Sequence, residues 1–227
     1  MKLTDAVTEK SNYLFLGEAG CGKSEIAVNL ALALAEKAEK PVHFFDLDMT
    51  KPLFRSRDVQ AVLENAGVIV HFQEQFYDAP TQVGGPSVLL RDNDCYTILD
   101  VGGDYMGASA VGVYSQWLRG DNTVAYYVVN SFRPWSMSLE HIDGVLSQVL
   151  GAAHLPLSQL QFIGNPNLGI RTTVEEVREG IQRLQEMLGE YVKIPFGCVW
   201  EELWPIEDAQ LPLVPLHLYF TYPWEQN

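Results

Sequence analysis

The chain has 227 residues, 47% of them hydrophobic and 19% charged, enough for one sizeable core and too little for two domains of ordinary size. Lys and Arg total 15 against 29 Asp and Glu, a net charge of -14 that argues against a general affinity for nucleic acid or anionic lipid. Three scattered cysteines without a C-x-x-C exclude a disulfide frame or zinc site, and no apolar run approaches a membrane span, so the expectation is a soluble cytoplasmic protein.

Short apolar runs alternate with amphipathic ones, the pattern of βαβ units and a mostly parallel sheet. The first run, Asn12-Tyr13-Leu14-Phe15-Leu16, reads as a buried strand. It leads into Gly17-Glu18-Ala19-Gly20-Cys21-Gly22-Lys23-Ser24, which fits the phosphate-binding loop pattern G-x-x-x-x-G-K-[ST] at every required position. Residues 25–37, beginning with Glu25, are rich in helix formers. In this order, strand, glycine loop and helix let main-chain N–H groups surround phosphate oxygens, and the helix N-terminus adds its positive dipole end. Residues 17–25 are therefore the candidate nucleotide-binding segment. Lys23 would reach the β- and γ-phosphates, and the Ser24 hydroxyl would hold Mg²⁺.

Residues 41–45 read as a second strand ending at Asp46-Leu47-Asp48. A short helix over 57–65, closed by Gly67, precedes a strand over 68–72. Residues 73–86 hold several turn formers and are expected to form a loop or lid, with a helix over 87–91. A central strand over 96–99 delivers Asp100-Val101-Gly102-Gly103-Asp104, followed by a helix over 108–118. Residues 123–129 form a continuous apolar strand, 138–150 have helical spacing, and 160–164 form a strand that feeds Asn165. Thr173 and Glu176 fit a capping box that opens a helix to residue 188, and 192–196 read as the last core strand. The segment from Trp204, rich in Pro and aromatics, has no assignable pattern. The expected fold is one three-layer α/β domain of the P-loop NTPase type, with a mostly parallel central sheet and helices on both faces.

In such sheets ligands sit at the carboxyl ends of the strands. Asp100 is placed to bind Mg²⁺ directly or through water, and Gly103 lets a backbone N–H approach the γ-phosphate. Asp46 and Asp48 lie on the same side of their strand, where one would orient the attacking water or assist the metal. The catalytic candidates are thus Lys23, Asp46, Asp48 and Asp100, and the metal candidates Ser24, Asp48 and Asp100. Five histidines show neither H-x-x-x-H nor H-E-x-x-H spacing and read as packing or surface residues.

The loop, Phe45-Asp46-Leu47-Asp48, Asp100-Val101-Gly102-Gly103 and the late Asn165 together resemble the MinD/ParA-type P-loop ATPases of the SIMIBI class, from Leu14 to about Phe196. The resemblance implies ATP and Mg²⁺ as ligands, a protein partner and a nucleotide-dependent homodimer. It also implies an adenine-reading asparagine, which falls on Asn165, and a backbone near Pro195 and Phe196 that lies beside the base. The group usually carries a second lysine directly after the first glycine of the loop, reaching across the dimer. Here that position is Glu18, and a carboxylate cannot stabilise charge developing on phosphate. Arg55, Arg57, Arg133 and Arg171 are the candidates to replace that charge. The absence of an Asn-Lys dipeptide favours adenine over guanine.

Residues 46–52 are also similar to a Walker-type motif of bacterial tyrosine kinases, with Tyr219 and Tyr222 as a thin version of their tyrosine cluster. The C-terminus lacks the basic amphipathic helix of membrane-docking relatives. The expected function is a slow Mg-dependent ATPase acting as a nucleotide switch on a partner protein, such as a metalloenzyme or cofactor-maturation system. An ATP-dependent small-molecule ligase, a tyrosine-kinase-like phosphotransferase and a nucleotide-binding module without turnover remain open alternatives.

Overall fold

The computed structural model describes residues 1–48, 59–72 and 85–220. Among them eight strands form one sheet in the order β3-β2-β4-β1-β5-β6-β7-β8, with every neighbouring pair parallel. The strands are β1 (Asn12–Leu16), β2 (Val42–Leu47), β3 (Ile69–Phe72), β4 (Tyr96–Val101), β5 (Thr123–Val129), β6 (Leu160–Gly164), β7 (Gly197–Trp200) and β8 (Leu213–Leu216). The helices are α1 (Leu3–Ala6), α2 (Lys23–Lys37), α3 (Gln60–Asn65), α4 (Pro86–Leu89), α5 (Tyr105–Gly112), α6 (Ser115–Leu118), α7 (Leu139–Ala153) and α8 (Val174–Leu188). The three-layer α/β architecture is the one expected from the sequence.

Both sheet faces are covered, which is why the central strands read as unbroken apolar runs. Tyr13 and Phe15 of β1 pack with Ile26, Leu30 and Leu34 of α2 in one core. Leu14 and Leu16 point the other way, into a core built with Ala108 and Val111 of α5 and Ile142, Leu146 and Val149 of α7. Strand β1 lies between β4 and β5, and register pairs Phe15 with Asp100 and Leu16 with Tyr127. The loop after β1 therefore emerges at the middle of the carboxyl edge, the usual place for a ligand crevice in an open parallel sheet.

Strands β5 and β6 keep their expected limits, and α8 opens with the expected capping box: the Thr173 side chain accepts from the Glu176 N–H while Glu176 reaches back. The helix expected over 108–118 is instead two. Asp104 caps the first by accepting from the Gly107 N–H at 2.8 Å, and the chain breaks after Gly112. The last core strand is not 192–196 but β7. Pro195 has no N–H for a ladder, so pairing begins beyond it, where the Gly164 N–H donates to the Phe196 carbonyl at 3.3 Å. Part of the unassigned C-terminal segment forms the edge strand β8, where Pro215 is tolerated because one side needs no donor. Residues 73–84 of the loop or lid expected over 73–86, Arg55, Arg57, residues 49–52 of the kinase-like motif and Tyr222 lie outside the described residues. Among the described residues no helix is long and apolar enough to cross a membrane.

Candidate functional site

The glycine loop joins the end of β1 to the N-terminus of the fifteen-residue α2. Helix geometry leaves the N–H groups of Lys23, Ser24 and Glu25 without intrahelical partners, a positive end suited to an anion. Gly22 enters this helix at φ +93, and a Cβ on it would lie 2.0 Å from the Asn165 Nδ2, so no side chain fits there. Lys23 and Ser24 are buried, as are Asp46, Asp48 and Asp100. Register sets Asp46 of β2 directly beside Asp100 of β4, and the Asp48 N–H donates to the Asp46 Oδ1 at 3.0 Å. The carboxylates named from the sequence thus gather at the ends of two adjacent strands, next to the strand that delivers the loop.

Gly103 meets the loop backbone to backbone. A Cβ on it would lie 2.4 Å from the Ala19 N and 2.7 Å from the Glu18 carbonyl carbon. Gly103 is therefore in direct contact with the phosphate-binding loop. Glycines also set the next layer, since a Cβ on Gly107 would lie 2.5 Å from the Gly102 Cα.

On the opposite flank the turn after β5 grips the loop. Glu18 is buried, and its Oε1 accepts from the Ser136 Oγ at 2.9 Å. Burial raises its pKa above the usual carboxylate range. The Ser136 hydrogen bond, the Arg133 and Lys23 charges and the Trp135 N–H pull in the other direction. Arg133 Nε donates to the Gly20 carbonyl at 2.8 Å, whereas Arg171 is exposed. Asn165, at the end of β6, donates its Nδ2 to the Cys21 carbonyl at 2.8 Å, and its buried Oδ1 has no hydrogen-bond partner among the described residues.

Glu25 holds something other than phosphate with its side chain. Its carboxylate accepts the Tyr219 and Phe220 N–H groups, and burial pushes its pKa up to about 7. Only its main-chain N–H faces the helix entrance. Phe196 is buried in the core on the α2 side of the sheet and its carbonyl is taken by Gly164, while Pro195 is half-buried. Ser136 was not visible as a site residue, because nothing in its neighbourhood signals that it returns to the loop. The same holds for the C-terminal segment: Asn29 of α2 brackets the His217 main chain, donating to its carbonyl at 2.9 Å and accepting from its N–H at 3.0 Å.

Among the described residues no three His, Cys, Asp or Glu side chains gather closely enough to hold a metal ion by themselves. Ser24, Asp48 and Asp100, the oxygen donors expected from the sequence, are all buried, at the loop and at the neighbouring strand ends.

A parallel sheet with a G-x-x-x-x-G-K-S loop between β1 and α2, and carboxylates at the neighbouring strand ends, defines a P-loop nucleotide-binding protein. Residues 16–192 match the sequence profile of the CobQ/CobB/MinD/ParA nucleotide binding domain, CbiA, which is more than three quarters of the chain. The chain belongs to this family, a MinD/ParA-like branch of the SIMIBI class. No curated protein sequence matches it significantly. Among solved structures it resembles the signal recognition particle receptor FtsY from Elizabethkingia anophelis, with a TM-score of 0.50 and 13% identity over 90% of this chain and 63% of that one. A nucleotide-binding protein from Archaeoglobus fulgidus in complex with ADP aligns with a TM-score of 0.47 and 15% identity, over 91% of this chain and 81% of that one. FlhF complexed with GMPPNP and Mg²⁺ aligns with a TM-score of 0.45 and 14% identity, over 72% and 62%. The chain spans about three fifths of the length of the FtsY and FlhF chains. At these identities the likeness is one of fold.

Proposed function

We propose that this chain binds Mg·ATP in the loop of residues 17–25 and hydrolyses it slowly, as a switch read by a partner protein. The observation that carries the reading is the loop itself, running into the α2 N-terminus with buried Lys23 and touched by Gly103 at Ala19, beside the neighbouring strand ends that carry Asp46 and Asp100. Lys23 neutralises the β- and γ-phosphates, Ser24 with Asp48 or Asp100 holds Mg²⁺, and Asp46 or Asp48 orients the attacking water. The Gly103 N–H senses the γ-phosphate, and loss of that phosphate frees the Asp100–Gly103 segment and α5 behind it. The whole chain acts as one nucleotide-binding domain in the cytoplasm, a location that its few, scattered cysteines support.

Adenine is favoured at the base. The buried Asn165 Oδ1 is an acceptor suited to an exocyclic amine, where guanine presents a carbonyl. Residues 166–172 contain no carboxylate to read the guanine N1 and N2 donors. The test is calorimetry with Mg·ATP and Mg·GTP, paired with a phosphate-release assay. Wild type binds ATP more tightly than GTP, and Lys23→Ala loses most of that binding. Lys23→Ala with unchanged ATP affinity overturns the site assignment. Tight binding with no phosphate release under any addition favours instead a module without turnover, the reading that Glu18 supports.

A further inference from the structure

Two successive carbonyls of the loop are held from the same flank. Arg133 takes the Gly20 carbonyl and Asn165 the Cys21 carbonyl, each at 2.8 Å. Their carriers are tied together. Asn130, just after β5, donates its Nδ2 to the Asn167 carbonyl at 2.7 Å, and its Oδ1 accepts from the Phe132 N–H at 3.1 Å. Strands β5 and β6 are neighbours, pairing Val129 with Gly164, so Arg133 and Asn165 sit on one side of β1. Asp46, Asp48 and Asp100 end β2 and β4 on the other side. A nucleotide lying across β1 with its terminal phosphate and metal toward the carboxylates therefore has its nucleoside on the side of Arg133.

Resting on the reading of this loop as the nucleotide site, we infer that Arg133 is a nucleoside-binding residue that holds base and ribose, not a finger acting on the γ-phosphate. Only its Nε is committed. Its two terminal nitrogens make no hydrogen bond among the described residues, which leaves donors for ribose oxygens and a planar face for stacking. Gly20 lets the guanidinium lie this close: a Cβ there would be 3.3 Å from the Nε and 3.4 Å from the Cζ. Glu18, fixed by Ser136 on the same turn, supplies a nearby negative charge that keeps the guanidinium over the loop.

Calorimetry in Mg²⁺ with ATP, ADP and inorganic tripolyphosphate tests this on wild type, Arg133→Ala and Arg133→Lys. Arg133→Ala, which also releases the Gly20 carbonyl, weakens ATP and ADP to the same extent and about tenfold more than it weakens tripolyphosphate. Arg133→Lys falls between, because it keeps a donor for Gly20 but has no plane to stack. A loss confined to ATP, or an equal loss for tripolyphosphate, assigns Arg133 to the phosphates and overturns the proposal. Wild-type affinities in Arg133→Ala overturn it as well, and leave the nucleotide site itself standing. A wild type that binds none of the three probes removes the site and this role together. Should Arg133→Ala fail to fold, Arg133→Lys carries the same three-probe comparison.

Discussion

Gly103→Ala tests the contact on which the proposed nucleotide sensing depends. The added Cβ would lie 2.4 Å from the Ala19 N, where ordinary contact begins at 3.4 Å, so the two backbones must part by about 1 Å. Neither neighbour yields easily. Ala19 belongs to a loop held by Ser136, Arg133 and Asn165, and Gly103 follows a fully buried strand. Overpacking of this kind costs about 1–3 kcal/mol in stability. A displacement of about 1 Å at a catalytic cradle costs roughly 100-fold in rate, and a cradle so displaced also binds phosphate more weakly. The assay pairs urea denaturation with calorimetric Kd values for Mg·ATP and Mg·ADP. The matched control is Gly144→Ala on the exposed face of α7, where an added Cβ meets nothing within 4 Å. That change gains about 0.5–1 kcal/mol and leaves binding alone. A Gly103→Ala protein with wild-type stability and affinity refutes the argument that these two backbones meet.

Further predictions rest on separate contacts. Ser136→Ala strips the Glu18 Oε1 of its donor in a buried site and costs about 1–3 kcal/mol in urea unfolding, whereas Glu18→Leu, which removes the orphaned acceptor, restores part of that loss in the double variant. Thr173→Ala removes the capping box of α8 and costs about 1 kcal/mol by the same measurement. His71, 3.0 Å from His43 across the β2–β3 pair, is held at about 4 against an ordinary 6.5, first by burial and then by its neighbour. Its folded-state pKa is depressed, so its contribution is complete above pH 6.5 and is lost as pH falls through about 4. The shift corresponds to roughly 3 kcal/mol, reduced to about 1–2 by partial exposure. Unfolding measured at pH 7.5 and 4.5 in wild type and His71→Gln reads it, and equal slopes in the two proteins would sink it.

The parts of the fold legible in the sequence are those where local pattern and tertiary role agree. β1, the glycine loop and α2 announce themselves by an apolar run, a fixed glycine spacing and a row of helix formers, and β5 is unbroken because both its faces are covered. The positions of Asp46, Asp48 and Asp100 at neighbouring strand ends were readable because each closes an apolar run. The contacts between distant segments were not readable. Ser136 returns to Glu18 across 118 positions, and the Glu25 carboxylate meets Tyr219 across 194, with no periodicity to mark either pairing. The shift of the last core strand past Pro195 had a signal in that proline, and β8 was hidden by Pro215, which reads as a strand breaker until its place at the edge is known.

The acidic residue at the second loop position changes what the site asks of its surroundings. A lysine there carries its own charge outward, toward a second nucleotide. Glu18 instead turns the loop toward its own chain, taking a hydrogen bond from Ser136 and drawing on the charges of Arg133 and Lys23. Its carboxylate offers no donor to phosphate. Stabilisation of a leaving phosphate must therefore come from Lys23, the loop N–H groups, the α2 dipole and the metal. In the proposed ATPase those groups bind the nucleotide, while a transition-state cation such as an arginine finger is worth about 10³–10⁵ in rate. Slow turnover, accelerated only when a partner brings a cation to the site, is the kinetic behaviour that follows from this arrangement. A phosphate-release rate that saturates at a high value with the isolated chain would contradict it.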